Sequence, residues 1–297
     1  MAPFYQVFIR LLRTTGHLMY SIWLFTWSDL QTTTFPDSLF GIMTALSFPL
    51  VLFWAWINQL AFNVGNQRQP KSIAEDTINK PWRPMPSGRL SVAQAKYAMI
   101  LSYIGSFVVS SRIGGSRPSF FLAILGYLYN DYGFGDMNGI IRNIINALGF
   151  ITFDAGALEV ALNRPLRLTP GSHAVYGHNN FTVEKWLFLL LFVIYSTGHT
   201  QDMHDQEGDI VRNRSSLPLQ LGDGVARYII AAFMTMWGLL CPYFWQCNWT
   251  GYSVCGPLAF IIAYRSLRLR AVREDRLTFK LWNVWMISLY CLPLMAG

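Results

Sequence analysis

Asp202, Asp205 and Asp209 stand three and four residues apart in the segment STGHTQDMHDQEGDIVRNRSSLP, which runs from Ser196 to Pro218. On a helix turning about 100° per residue this spacing puts three carboxylates on one face, with Glu207 pointing elsewhere. Three like charges on one face repel, and at the end of an apolar helix each also resists losing its water. Such a set asks for a counter-cation. Its ligand atoms are all oxygens, which suits a hard ion such as Mg²⁺, usually held by one or two carboxylates together with water and a substrate phosphate. His199 and His204 flank the acids and read more simply as capping or hydrogen-bonding residues than as ligands. The plain alternative for the whole segment is a solvated helix end.

A second island, NVGNQRQPKSIAEDTINKPWRPMPSGRLS from Asn63 to Ser91, sets Glu75 and Asp76 beside Lys80, Arg83 and Arg89 in a stretch stiffened by Pro81, Pro84 and Pro86. Acids beside Arg and Lys are what a metal-bridged diphosphate requires: carboxylates hold the ions, and guanidinium or ammonium groups hold the remaining oxygens. A topogenic basic loop with ordinary turn residues explains the same composition equally well. Between the islands, YLYNDYGFGDMNGIIRNIINALGF (127–150) carries Asn130, Asp131, Arg142, Asn143 and Asn146. Arg142, Asn143 and Asn146 share a helical face, and they read either as diphosphate contacts or as hydrogen bonds between helices.

The elements that must position these residues are apolar. Of 297 residues 53% are hydrophobic and only 13% charged, with 11 Trp, 21 Phe and 14 Tyr, and the charges sit in islands between apolar stretches of about membrane-spanning length. We read nine helices, at about 15–31, 39–63, 92–111, 119–130, 139–162, 184–206, 225–246, 253–269 and 278–295, with no linker and no short-period repeat, hence one membrane domain over 1–297. No cleavable signal peptide follows Arg10 and Arg13, so the first helix is expected to remain as an anchor. With nine spans, one side collects Arg10, Arg13, Arg68, Lys71, Lys80, Arg83, Arg89, Arg212, Arg214 and the basic run from Arg265 to Lys280, against Arg112, Arg117, Arg164, Arg167 and Lys185 on the other. The positive-inside rule then places both islands in the cytosol. The formal charge of +7 is accordingly a topology signal rather than a nucleic-acid surface. Asn180 and Asn248 fall on the opposite side as possible glycosylation acceptors, and Asn213 in the cytosol. Four Cys make no disulfide framework, although Cys247 and Cys255 are close enough in sequence to pair; Cys241 and Cys291 read as core residues.

The two islands together resemble the UbiA superfamily of intramembrane prenyltransferases. Asp76, Asn79, Lys80, Pro81, Arg83, Pro84, Ser87 and Gly88 match the family's first motif, and Asp202, Asp205, Asp209, Arg212, Leu217 and Pro218 match its second. Both fall after the expected spans, the second and the sixth. The first motif departs from the pattern where Ser72 stands in place of an Asp, with Glu75 and Asn66 or Gln67 as substitute oxygens. This altered form resembles a fungal branch of specialised metabolism that includes membrane-bound sesquiterpene cyclases.

The resemblance implies an all-α polytopic protein, about nine transmembrane helices around a central apolar cavity under a cytosolic charged cap, in a membrane such as the endoplasmic reticulum. It implies Mg²⁺ held by Asn66, Glu75, Asp76, Asp202, Asp205 and Asp209, with Asp76 and the three later Asp residues essential to catalysis. Lys80, Arg83, Arg142, Asn143 and Arg212 would bind the diphosphate of an isoprenyl substrate. Ionisation would leave an allylic cation in a water-poor cavity, with Trp54, Trp56, Phe62 and Tyr195 as candidate aromatic walls. Cyclisation of farnesyl diphosphate is the expected outcome, with transfer to an aromatic or polyketide acceptor as the alternative. A transporter fits less well, because its ionisable residues belong near the midplane rather than at helix ends on one side.

Overall fold

The computed structural model describes residues 2–40, 47–166 and 183–296, with side chains from residue 14 onward. Asn180 and Arg167 lie outside the described residues. The chain begins with α1 (Ala2–Thr26), a π-helical turn (Leu30–Thr34), α2 (Phe35–Phe40), α3 (Phe48–Gln67) and α4 (Pro70–Asn79). The middle of the chain contains α5 (Val92–Ile113), α6 (Ser116–Asn130), α7 (Phe134–Met137), α8 (Gly139–Leu162) and α9 (Val183–Thr197). After two 3₁₀ turns come α10 (Gln206–Arg212), α11 (Leu217–Leu221), α12 (Asp223–Phe244), α13 (Trp249–Arg268) and α14 (Val272–Cys291). Among the described residues the chain is nearly all helix, and Cys247 and Ala296 form an isolated bridge.

Four of these helices, α3, α5, α8 and α12, are long and apolar enough to cross a membrane. The lipid-facing character is plainest in α5, where only 11% of the most apolar window is buried and Tyr97, Leu101, Ile104, Phe107 and Val108 are exposed. A helix that turns large apolar side chains outward needs an apolar solvent.

Two packed layers flank the interior. Trp186, Trp245, Trp282 and Trp285 sit fully buried in a core formed by α9, α12, α13 and α14. On the other side Trp54 of α3 packs with Phe153 and Ala157 of α8 and donates from Nε1 to Ser110 Oγ of α5 at 2.8 Å. That packing requires glycine at 156, since a Cβ there would lie 1.9 Å from the Trp54 ring.

The first helix, expected at about 15–31, runs from Ala2 to Thr26, with a π-helical turn after it. Three further elements differ from the sequence expectation, each for a physical reason. The helix expected at 39–63 continues to Gln67, because the polar residues at its end are tied down: Asn63 Nδ2 and Gln67 Nε2 both donate to the Phe25 carbonyl. The stretch read as a loop after it contains a helix, α4, started by Pro70 at its first turn and presenting Ser72, Glu75, Asp76 and Asn79 on one buried face. The helix expected at 184–206 stops at Thr197 and breaks into two 3₁₀ turns before α10. Asp202, Asp205 and Asp209 therefore do not share one continuous helix face. All four Cys are free, and Cys247 and Cys255 bond instead toward the Leu292 carbonyl and Ser288.

Candidate active site

The two islands meet. α4 from the first packs on α10 from the second, and their approach depends on Gly208, where a Cβ would fall 2.1 Å from Asn79 Nδ2 and 3.0 Å from Glu75 Cγ. The loop before α8 joins them: Arg212 donates through Nε to Asp136 at 2.7 Å and through Nη1 to Ser72 at 2.5 Å and Glu75 at 3.0 Å. Arg214 spans the same partners, with Nη1 3.1 Å from Glu75 and 2.7 Å from Asp209, and Nε 3.2 Å from Asp136. Arg83 Nη1 bonds both oxygens of Asp76 at 2.9 and 3.0 Å, and its Nη2 reaches Ser28 and Asp29 after α1. Arg142 holds Asp202 at 2.5 Å and also donates to the Tyr129 hydroxyl. Lys80 lies 3.9 Å from Asp205.

This cap is a dense charge network with an imbalance. Asp29, Glu75, Asp76, Asp136, Asp202, Asp205 and Asp209 make seven carboxylates against the five cations Lys80, Arg83, Arg142, Arg212 and Arg214. The deficit falls on the second island, where among the described residues Asp209 Oδ2 has no hydrogen-bond donor and Asp205 Oδ1 has only His204 Nε2, at 3.5 Å. Burial pushes Asp209 up to about 6, because the attraction of Arg142 and Arg214 does not offset its desolvation. Asp76 is likewise raised by burial, against the pull of Arg83 and Lys80. Burial also acts on Glu75 and Asp205, but their neighbours win: Arg214 and Arg212 hold Glu75 below the ordinary carboxylate value, and Lys80 and His204 do the same for Asp205.

Beneath the cap opens a cavity of about 150 Å³. Asp29, Glu75, Lys80, Arg83, Arg142, Asp205 and Arg214 line its charged end. Along α8 the lining passes from Arg142 through Ile145, Gly149 and Phe150 to Phe153, a descent of about 16 Å at 1.5 Å per residue. Leu122, Leu125 and Gly126 of α6 face it, below Tyr129. A smaller chamber beside it is lined by Asn143, Asn146, Phe150, Gln201, Phe279 and Trp282 among others.

The structure thus gathers Asp76, Glu75, Lys80, Arg83, Arg142, Asp202, Asp205 and Asp209 at one cap. Arg212 belongs to the network without lining the cavity, and Asn143 faces the side chamber and donates to the Tyr195 carbonyl at 3.3 Å. Asn66 lines the cavity, with its Nδ2 donating to Asn130 at 2.8 Å. Among the four aromatics named from sequence only Phe62 lines the main cavity, together with Tyr129, Phe150 and Phe153, which the sequence reading did not single out. Trp54 is a packing residue, and Trp56 donates to Thr26 at 3.3 Å. His199 is buried against the Ala226 carbonyl, and His204 approaches Asp205 at 3.5 Å. Arg214 is the cation that sequence reasoning missed; its signal was the recurrence of Arg two residues after Arg212.

Comparison with known proteins places this geometry. Residues 36–285 match the UbiA prenyltransferase family. The chain is 24% identical over 288 residues to a fumagillin beta-trans-bergamotene synthase of Aspergillus fumigatus, covering 92% of this chain and 91% of that protein. It is 27% identical to the diterpene cyclase eriG of Hericium erinaceus, covering 91% of this chain and 85% of that protein. Among solved structures, a UbiA homologue from Archaeoglobus fulgidus bound to GPP and Mg²⁺ superposes with a TM-score of 0.64 at 13% identity, over 92% of this chain and 99% of that one, and so shares its fold. With a family match over most of its length, apolar helices of membrane-spanning length and two motif islands brought to one cap, this chain belongs to the UbiA prenyltransferase family and is a membrane enzyme of that type.

Proposed function

We propose that the protein ionises an isoprenyl diphosphate, most simply farnesyl diphosphate, and cyclises the resulting allylic cation to a sesquiterpene. The observation that carries this reading is the pairing of a charged cap with the cavity directly under it, whose wall carries Phe62, Leu122, Leu125, Ile145, Phe150 and Phe153. A diphosphate seated at the mouth meets Lys80, Arg83, Arg142 and Arg214, all of which line it. The bond between the allylic carbon and the diphosphate oxygen breaks with both electrons leaving on oxygen, and these cations stabilise that charge as it develops. The prenyl chain lies below among Leu122, Leu125, Ile145, Phe150 and Phe153, and once it fills this space and displaces water its own double bond is the nearest nucleophile. Attack by that double bond forms the ring, and loss of a proton ends the sequence.

The residues fit a divalent cation. The cap carries two more carboxylates than cations, and Asp205 Oδ1 and Asp209 Oδ2, which no arginine holds among the described residues, are hard donors of the kind Mg²⁺ prefers. Among the described residues no three carboxylates or imidazoles yet converge on one point, because Arg83, Arg142, Arg212 and Arg214 occupy the lone pairs of Asp76, Asp202 and Glu75. Asp205 and Asp209 would hold the ion, with Asn66, Glu75, Asp76 and Asp202 as further donors; bound Mg²⁺ supplies positive charge to the departing diphosphate. The names of the relatives, two terpene-forming enzymes and a homologue bound to GPP and Mg²⁺, support the same chemistry. We place the cap in the cytosol of an endoplasmic reticulum membrane on the strength of its basic loops.

Transfer to an aromatic or polyketide acceptor is the second reading, favoured by the match of residues 36–285 to a family of prenyltransferases. The test is to incubate membranes containing the protein with farnesyl diphosphate and Mg²⁺, without acceptor, and to analyse the extract by gas chromatography and mass spectrometry. A cyclic hydrocarbon that disappears with EDTA is expected. Absence of any volatile product, in membranes that prenylate an added aromatic acid, would select the transferase.

A further inference from the structure

Gln59, Asn63 and Gln67 recur every four residues on one face of α3, all three line the cavity, and all three are at least 96% buried. Their hydrogen bonds have a direction. The Phe25 carbonyl, at the end of α1, receives Asn63 Nδ2 at 3.1 Å and Gln67 Nε2 at 2.9 Å. A carbonyl only accepts, so both amides must turn their NH₂ groups toward it and their oxygens away. Asn63 Oδ1 then receives Gln59 Nε2 at 2.9 Å, which turns Gln59 in its turn. The polarity of the chain is dictated outward from Phe25, and it ends in two oxygens, Gln59 Oε1 and Gln67 Oε1, that are buried and have no hydrogen-bond donor among the described residues. Leaving a buried acceptor unmet is costly, and a fold that fixes its orientation through two successive hydrogen bonds has committed it to something in the cavity.

The two oxygens lie at different depths. Contacts between α3 and α6 step from Asn66 with Asn130, through Phe62 against Gly126, to Asn58 with Ser119, so Gln67 sits at the cap and Gln59 about 12 Å further in, level with Leu122. Gln59 lines the cavity with its amide dipole fixed by the bond to Asn63, in a wall that also carries Thr33, Phe62, Leu122 and Asn146. A carboxylate there would trap a carbocation and a hydroxyl would quench it, whereas a neutral amide oxygen stabilises positive charge with no proton to lose.

Resting on the function proposed above, we propose that Gln59 Oε1 faces the positive charge as it moves along the prenyl chain away from the diphosphate, and that Asn63 is the positioning residue that keeps this oxygen forward. The role is electrostatic; no bond forms to Gln59.

The test uses the full-length protein in detergent, with farnesyl, geranyl and geranylgeranyl diphosphate as substrates, diphosphate release for kcat and KM, and mass spectrometry for products. Gln59→Leu is expected to lower kcat by about 10- to 100-fold with KM within about threefold, and to move the product spectrum toward acyclic or early-quenched compounds. Asn63→Ala should shift products the same way to a smaller extent. Asn58→Leu is the control: this neighbouring amide is buried, bonded to the Trp54 carbonyl and Ser119, and does not line the cavity, so its loss should lower thermal stability and leave the product spectrum alone. If Gln59→Leu does not accumulate, Gln59→Asn withdraws the oxygen by one methylene and should give a milder form of the same shift. Wild-type kcat and products in the Gln59 variants, or an equal product shift in Asn58→Leu, would overturn the inference while leaving the function standing. A wild-type protein that releases diphosphate from none of the three substrates would overturn both.

Discussion

Two buried ion networks of this molecule are built from the same residue types and reach opposite outcomes. Arg227 of α12 ties the start of that helix to α13 and α14: its guanidinium bonds both oxygens of Asp275 at 2.7 Å, Asp223 at 2.8 Å and the Ser266 carbonyl at 3.1 Å. Every arm of the fork has an acceptor, and neither Asp275 nor Arg227 has an orphaned atom. The cap formed by α4, α10 and the loop before α8 has seven carboxylates for five cations and, among the described residues, leaves Asp209 Oδ2 without a donor and Asp205 Oδ1 with only a distant His204. A closed network of the first kind fastens helices together. An open one leaves an acceptor unmet, and here it stands over the cavity.

That contrast is broken most directly at the open network. Asp209→Asn, or Asp205→Asn, should lower turnover by about 10³-fold while changing the thermal midpoint by no more than a few degrees, because the lost group serves a ligand and not the fold. Turnover assays beside thermal unfolding in detergent measure both, and a variant that stays active or that unfolds would erase the distinction. At the closed network the opposite pattern is expected. Arg227→Ala leaves Asp275 buried and unpaired and should cost about 3–5 kcal/mol of stability, with turnover per folded molecule within about threefold of wild type.

Gly208→Ala probes what joins the two halves of the cap. Its Cβ cannot coexist with the Asn79 and Glu75 side chains at their present positions, so these side chains must turn aside or α4 and α10 must separate. Turnover should fall by roughly 10- to 100-fold, with KM for the diphosphate rising, since displaced charges no longer converge on one oxygen set; unchanged kinetics would mean that the close approach is not needed.

The smallest effects are those of pH, and they carry opposite signs within the cap. Glu75 is held below its ordinary value of 4.5, so its ionised form favours the fold: that stability is present above this value and fades as pH falls below it. Asp209 is raised from 3.8 to about 6, so its ionised form disfavours the fold, a cost that sets in as pH climbs from about 4 and is complete above about 6. Without divalent cation, Glu75→Gln should therefore lower the thermal midpoint at pH 7 and converge with wild type near pH 3. Asp209→Asn should match or exceed wild type at pH 7 and lose that margin near pH 4. Thermal scans across this range distinguish them, and identical profiles would mean that both carboxylates serve the fold alike.

Much of the cap was legible before the fold. The order of residues in the two islands identified Asp76, Lys80, Arg83, Asp202, Asp205 and Asp209, and the helix ends they occupy do converge. Periodicity misled where polar residues bond among themselves. The spacing of Asp202, Asp205 and Asp209 reads as one helix face only if the helix continues, and the chain breaks at Thr197. Ser72, Glu75, Asp76 and Asn79 carry helical spacing in a stretch whose prolines suggested a loop, and Pro70 at the first turn starts α4 instead of preventing it. Roles that depend on partners, such as Arg214 closing on Glu75 or Arg212 spent on Glu75 and Asp136, have no local signature, because those partners lie 76 to 139 residues away.

The central claim is that the open network ionises an isoprenyl diphosphate with the help of a divalent cation. The measurement that tests it most directly is diphosphate release from farnesyl diphosphate by the purified wild type and by Asp209→Asn, with no acceptor present, as Mg²⁺ is titrated and then removed with EDTA. Release that rises with Mg²⁺, stops with EDTA and is nearly absent in Asp209→Asn at every Mg²⁺ concentration is the predicted result. Equal release by the two proteins, or release that persists in EDTA, would contradict it.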